Sequence, residues 1–241
     1  MLVFFTFVIL LALTVTNSKQ PFLYFKKSCE DWLLDSIGLF FQGFIVPFLQ
    51  IAVVFQLYQR LLPNTSGLLN LYPVAAFLIS FVFVDYLYYW NHRLLHTRKL
   101  WFIHQVHHTV TEMDVLGTSR NTLWTSFFIV YLWIHPLFLY LLQESKWYIL
   151  GISLSSALDL WRHSNFTPKP NSWIYPWLSS CLILPKDHAW HHSNDCIKGN
   201  YGANLKVWDK IHGTYYEFEG LPDSLGIKNS LSFTKKIFLP F

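Results

Sequence analysis

The sequence predicts an all-α protein: a multi-span transmembrane helical bundle of about four to five membrane helices, with a cytoplasmic histidine-rich helical cap. Three observations predict it. The chain is 53% hydrophobic and only 13% charged, against roughly 25% charged for a soluble domain. Its apolar residues fall into runs divided by short polar or proline-bearing segments. Eight of its 11 histidines sit in three tight groups, one H-x3-H and two H-x2-H-H.

Residues 1–16 are apolar and uncharged. They lack the positive leader and small-residue cleavage site of a secretory signal, so a short first membrane helix is expected. Lys19, Lys26 and Lys27 follow. Residues 39–57 form a second candidate span, interrupted by Pro47, which a membrane helix tolerates. Residues 68–90 form a third, which ends in the first histidine group. Residues 123–142 and the short run 147–161 are the fourth and fifth. The few residues between them predict an antiparallel helical hairpin. Crossing the bilayer takes about 20 apolar residues, more than the first and fifth runs hold. Beyond Thr167, Pro168, Pro170, Pro176 and Pro185 break helices, and Trp173, Tyr175 and Trp177 are placed to anchor at the interface. The chain is thus expected to comprise N-terminal membrane helices (1–70), a histidine-bearing domain (71–216) and a C-terminal tail (217–241).

Charge orients the bundle. If the fourth and fifth runs go out and back, residues 92–108 and 163–192 emerge on one side. That side carries Arg93, Arg98, Lys99, Arg120, Arg162, Lys169 and Lys186, against little more than Arg60 and Lys146 opposite. The positive-inside rule puts the histidines in the cytoplasm, at an ER membrane or a bacterial inner membrane. A net charge of +4 with no long basic run gives no support to a nucleic-acid partner. Cys29, Cys181 and Cys196 have no C-x2-C spacing and read as small buried or interfacial thiols, neither a disulfide framework nor a zinc site.

The histidine groups are His92 and His96; His104, His107 and His108; and His188, His191 and His192. Residues three and four apart share a helix face, so each group is expected to point its imidazoles one way. Neutral imidazole is the commonest transition-metal ligand. Eight imidazoles exceed the roughly four to six positions of one ion, so two metals are expected. Spacing alone leaves iron, zinc, copper and nickel open. His163, at the end of the fifth run, is a ninth candidate ligand. Asp85 and Asp159 are candidates to hold ligating imidazoles in the correct tautomer, with Asp187 and Asp209 behind them. Asn165 offers an amide oxygen nearby. His135 and His212 read as structural, and Trp90, Trp101, Phe102 and Trp190 as core or lining residues.

With those residues in view, the chain resembles the fatty acid hydroxylase/sterol desaturase superfamily of membrane di-iron oxygenases. The resemblance is carried by D-Y-L-Y-Y-W-N-H-R-L-L-H (85–96), F-I-H-Q-V-H-H (102–108), D-H-A-W-H-H-S (187–193) and N-Y-G-A-N-L-K-V-W-D-K-I-H-G-T-Y (200–215). It covers roughly 79–216. It implies two iron ions held by His92, His96, His104, His107, His108, His188, His191 and His192, with His163 matching the additional histidine before the last box. It implies O2 as co-substrate and hydroxylation or desaturation of a C–H bond in a fatty-acyl, sterol or ether lipid. A separate electron donor, of ferredoxin or cytochrome type, is implied because no haem-binding domain is fused to this compact chain. Residues 111–121 are similar to members near the alkylglycerol monooxygenases. The alternatives are a zinc-dependent membrane hydrolase and a non-enzymatic metal-binding or transport protein. The first wants a carboxylate base such as that of H-E-x-x-H, which is missing. The second wants ionisable residues along several spans, where only Asp85, His135 and Asp159 qualify.

Overall fold

Among the described residues, two helices are long and apolar enough to cross a membrane: 33 residues from Cys29–Leu61 and 23 from Pro73–Leu95. Only 11% and 28% of their most apolar windows are buried in the chain. Their greasy faces are thus the exposed ones, the inverse of a soluble core helix. The computed structural model describes residues 1–16, 27–195 and 198–238. Lys19, Lys26, Cys196 and residues 239–241 lie outside them. The described residues are all-α, with isolated bridges and no sheet. In chain order the helices are α1 (Leu2–Thr16), α2 (Cys29–Leu61), α3 (Pro73–Leu95), α4 (Trp101–His104), α5 (Thr125–Phe128), α6 (Tyr131–Leu141), α7 (Lys146–Arg162), α8 (Tyr175–Cys181), α9 (Pro185–His191), α10 (Val207–Ile211) and α11 (Phe233–Ile237).

Local chemistry sets the boundaries. Ser28 caps α2 by accepting the Asp31 N–H, and Pro73 opens α3, where its missing N–H costs nothing. α2 survives Pro47 by passing through wider π-helical turns at Phe41–Ile45 and Gln50–Phe55. The fourth apolar run is not one helix. α5 stops at Phe128, Ile129 is extended, and α6 begins at Tyr131. Asn91 on α3 holds this break open: its Nδ2 donates to the Phe128 carbonyl at 2.9 Å and its Oδ1 accepts the Val130 N–H at 3.1 Å. One amide side chain thus satisfies the backbone groups that helix continuation would have paired.

α7 is the central post. α1 packs along it, with Leu10 meeting Leu160 and Val115 and with Phe7, Leu11, Trp161 and Phe166 around them. On its other side α7 packs against the first half of α3, where Ala76 and Tyr148 join Leu142. The α3–α7 approach is close enough that a Cβ on Gly151 would collide with the Ser80 side chain. His135 on α6 bonds the Tyr148 hydroxyl on α7 at 3.0 Å, a satisfied polar group within the bundle. Cys29 and Cys181 are exposed, so neither is a buried thiol. The end of α3, the turns after α4, the end of α7 and all of α9 converge where the histidines lie.

Candidate metal centre

Nine imidazoles converge into two groups. His92, His96, His104, His108 and His191 form one; His107, His163, His188 and His192 form the other, with candidate ligand atoms within 4.8 Å of one another in each. No cysteine or carboxylate belongs to either group among the described residues. The helical repeat explains the sorting. Each i,i+4 pair stays together: His92 with His96 at the end of α3, His104 with His108 across the α4 turn, and His188 with His192 along α9.

The expectation that each cluster faces one way is therefore corrected. His107 leaves His104 and His108 for the other group, and His191 leaves His188 and His192. Neighbouring residues cannot share a face on a helix, and the chain tightens into a 3₁₀ turn at His107–Thr109. Each H-x2-H-H motif thus supplies both groups. The groups abut, with the His108 and His192 rings stacked at 4.4 Å.

Tautomers carry the chemistry. The Nδ1 of His92 lies 2.8 Å from the Tyr201 carbonyl, and that of His191 lies 2.7 Å from the Gly199 carbonyl. In the second group the Nδ1 of His107 and His163 lie 3.1 and 2.8 Å from the carbonyls of Arg120 and Asp159. A carbonyl only accepts, so each Nδ1 carries the proton and each Nε2 presents a lone pair. Yet the Nε2 atoms of His191 and His92 stand 3.2 Å apart, and those of His163 and His107 stand 3.3 Å apart. Lone pairs face each other with no proton between them, once in each group. A cation between them removes the repulsion. Two nitrogens bound to one ion at about 2.1 Å, at angles of about 90–110°, stand about 3.0–3.4 Å apart. The donor set fits a metal ion in each group.

Burial keeps the donors neutral. His191 is pushed down to about 4 by burial. His96, His104, His107, His108, His188 and His192 are held well below the usual imidazole range, by burial first and by neighbouring imidazoles second.

Asp187 and Asp209 stand one step back from the imidazoles, whereas Asp159 reaches His163. Asp85 reaches no imidazole. Its carboxylate accepts the N–H groups of Asn204 and Leu205, the Asn204 amide and the Trp208 indole at 2.9 to 3.1 Å. Asp209 accepts the N–H groups of Tyr201 and Gly202 at 2.8 and 2.7 Å and the Thr214 hydroxyl at 2.7 Å. Together they shape the loop whose Gly199 and Tyr201 carbonyls hold His191 and His92. Asp159 pairs with Arg162, and its Oδ1 lies 3.4 Å from His163 Nδ1. Asp187 accepts the Leu184 N–H at the start of α9 and pairs with buried Lys206 at 3.2 Å. Asn165 has a buried Oδ1 two residues past His163. The four groups that hold these Nδ1 atoms are backbone carbonyls, those of Gly199, Tyr201, Arg120 and Asp159, and a carbonyl leaves no signal in the sequence. The tail also takes part. The N–H groups of Gly226 and Ile227 donate to the carbonyls of His192 and His108 at 3.0 and 2.8 Å.

The fatty acid hydroxylase family model matches residues 77–214, more than half of the chain. Over 150 residues the chain is 31% identical to ornithine lipid hydroxylase OlsE of Rhizobium tropici, covering 60% of this chain and 43% of that protein. It is 25% identical over 168 residues to alkylglycerol monooxygenase of Xenopus tropicalis, covering 68% and 34%. Against the Danio rerio alkylglycerol monooxygenase it is 31% identical over 140 residues, covering 57% and 30%. The chain spans less than half the length of these relatives. No solved structure matches it. The matched segment contains all nine imidazoles, and the chain belongs to the fatty acid hydroxylase family within the histidine-box superfamily of hydroxylases and sterol desaturases.

Proposed function

We propose that this chain is a membrane-bound, O2-dependent di-iron lipid oxygenase that hydroxylates a C–H bond of a fatty-acyl, sterol or ether-lipid substrate. The observation that carries the reading is the pair of all-imidazole groups with facing lone pairs, in a chain of this family. Iron is favoured because a group of five nitrogens exceeds the four-coordinate geometry of structural zinc. Four relatives are named for hydroxylation of an ornithine lipid or monooxygenation of an alkylglycerol, which favours a lipid bearing a polar head.

His92, His96, His104, His108 and His191 would hold one iron, and His107, His163, His188 and His192 the other. Bound there, the iron pair supplies O2 activation. One oxygen atom would enter the C–H bond, and the other would leave as water, with two electrons from a separate ferredoxin- or cytochrome-type donor and two protons from solvent. The chain's own residues do the rest. Buried imidazoles stay neutral and ready to ligate. The carbonyls of Gly199, Tyr201, Arg120 and Asp159 fix their tautomers, and residues 224–227, close over His108 and His192, exclude water.

The membrane arrangement belongs to the same proposal. α2 and α3 cross the bilayer, while α1 and the α6–α7 hairpin enter it, giving four to five membrane helices with residues 71–216 as the catalytic domain. The metal pair then lies at the cytoplasmic surface, within reach of lipid acyl chains and of a soluble donor. Growth of cells expressing wild type or His107→Ala under heavy-isotope O2, with lipid mass spectrometry, tests the reading. One labelled oxygen in a single lipid class, absent from the variant, supports it. Loss of two hydrogens without label makes the enzyme a desaturase. Identical lipids, in a host that supplies substrate and reductant, contradict it.

A further inference from the structure

A hydrogen-bonded run and a path of rings lead from the five-imidazole group to the surface. Arg93 Nη1 donates to the Tyr89 hydroxyl at 3.2 Å, and that hydroxyl pairs with Thr214 Oγ1 at 2.9 Å. Thr214 donates to Asp209 Oδ1 at 2.7 Å, which also accepts the Tyr201 N–H at 2.8 Å. The Tyr201 carbonyl then accepts the Nδ1–H of His92 at 2.8 Å. The run from Arg93 to His92 is unbroken.

A ring path parallels it. Trp90 is 38% exposed and Tyr89 is fully buried. The Trp90 ring lies 4.8 Å from His212 and 5.6 Å from Tyr89, and His212 stacks on Tyr89 at 5.1 Å. Tyr89 is 6.4 Å from Tyr201, which lies 5.1 Å from His96 and 5.7 Å from His191. Rings therefore step from an exposed indole to two imidazoles of one group.

The outer end has the chemistry of a docking face. The Arg93 guanidinium sits over the Trp90 ring at 5.2 Å. α10 packs on α3 beside them and exposes Lys210 and Ile211. The acids of these elements, Asp85 and Asp209, are buried and bonded inward. The charges that α10 and the last two turns of α3 show to solvent are thus basic. An aromatic and an arginine within a basic rim fit an acidic partner. An anionic lipid headgroup would also meet Trp90 and Arg93, but it has no use for a bonded run ending at His92.

We propose that an acidic one-electron carrier docks on Trp90, Arg93 and Lys210 and passes its electrons through Tyr89 and Tyr201 to the five-imidazole group. This rests on the oxygenase reading above. Each encounter oxidises the carrier by one electron and reduces the metal pair by one. Two encounters and two protons balance the insertion of one oxygen atom and release of the other as water.

The test uses the full chain, iron-loaded, in phosphatidylcholine nanodiscs, with anaerobic stopped-flow reduction by an acidic [2Fe–2S] ferredoxin or by dithionite. Arg93→Glu is expected to raise the ferredoxin concentration needed for half-maximal rate by about tenfold or more. Trp90→Leu is expected to lower the rate at saturating ferredoxin. Both variants should keep wild-type iron content and dithionite rates, and Arg93→Glu should bind oxidised ferredoxin more weakly even when metal-free. Wild-type ferredoxin kinetics in both variants overturns the proposal. So does equal slowing with both reductants, or an effect of Arg93→Glu confined to binding phosphatidylglycerol vesicles. A wild-type chain that takes up no iron instead overturns the oxygenase reading itself.

Discussion

The backbone carbonyl of Arg120 accepts the Nδ1–H of His107 at 3.1 Å, while the side chain of the same Arg120 is anchored elsewhere. Its Nε donates to Asp35 and its Nη1 to Asp31, both at 2.6 Å, and both acids lie in the first turns of α2. Arg120 and Asp35 are nearly inaccessible to solvent. The N-terminal end of α2 therefore fixes the tautomer of an imidazole in the four-histidine group. Asp35→Asn removes one partner of a buried ion pair and leaves a guanidinium under-compensated. A loss of about 3–5 kcal/mol is expected from breaking such a pair. Chemical unfolding in detergent measures it, and metal analysis should show the four-histidine group losing its ion first.

Gly38 allows that contact. A Cβ there would run into the carbonyl of Ser119, the residue before Arg120. Gly38→Ala must push α2 away from the loop, and overpacking of this kind costs about 1–3 kcal/mol. The same unfolding assay should show a destabilisation in this range. Gly43 on the same helix has open space around it, so Gly43→Ala should show no such loss.

Asp209 touches no imidazole, yet it holds the N–H groups of Tyr201 and Gly202. Asp209→Ala frees the loop that presents the Tyr201 carbonyl to His92. Loss of outer hydrogen-bond partners costs about 10–100-fold in metal affinity. Competition titration with a chelator should find that loss at the five-histidine group, with the four-histidine group retained.

Acid should destabilise the metal-free chain. Burial holds His191 at about 4 and keeps His104, His107, His108, His188 and His192 well below the ordinary range. In the unfolded chain each titrates near about 6.5. As pH falls below about 6.5 the unfolded chain takes up protons that the folded chain refuses, so stability is present above that value and is lost on acidification. The His191 contribution levels off only near its folded value of about 4. Unfolding midpoints measured from pH 7.5 down to about 5.5 should fall steadily; a flat or rising midpoint contradicts the assignment.

Much of this was legible from the residues, for identifiable reasons. Histidine spacing marks eight of the nine imidazoles, because helix periodicity is a local property; His163 is marked only by its place at the end of the fifth apolar run and by the family resemblance. The division into groups of five and four was not legible, since it depends on the 3₁₀ turn after His104 and on the direction α9 takes relative to α3. The apolar runs marked where helices lie, but not the break at Ile129, which needs Asn91 from a different helix. In the sequence Asp85 is an acid near the first histidine group. Its task is tertiary, gathering a loop more than a hundred residues away. The carbonyls of Gly199, Tyr201, Arg120 and Asp159 left no trace in the sequence, because every residue carries the same group.

The central claim is that the nine imidazoles hold two iron ions, five ligands on one and four on the other. Metal analysis of the full-length chain, purified from iron-supplemented cells and examined by Mössbauer spectroscopy, tests it most directly. Two irons per chain in two distinguishable nitrogen-rich environments are expected, and His92→Ala and His163→Ala should each deplete a different one. One iron per chain, zinc in place of iron, or loss of the same signal in both variants would contradict it.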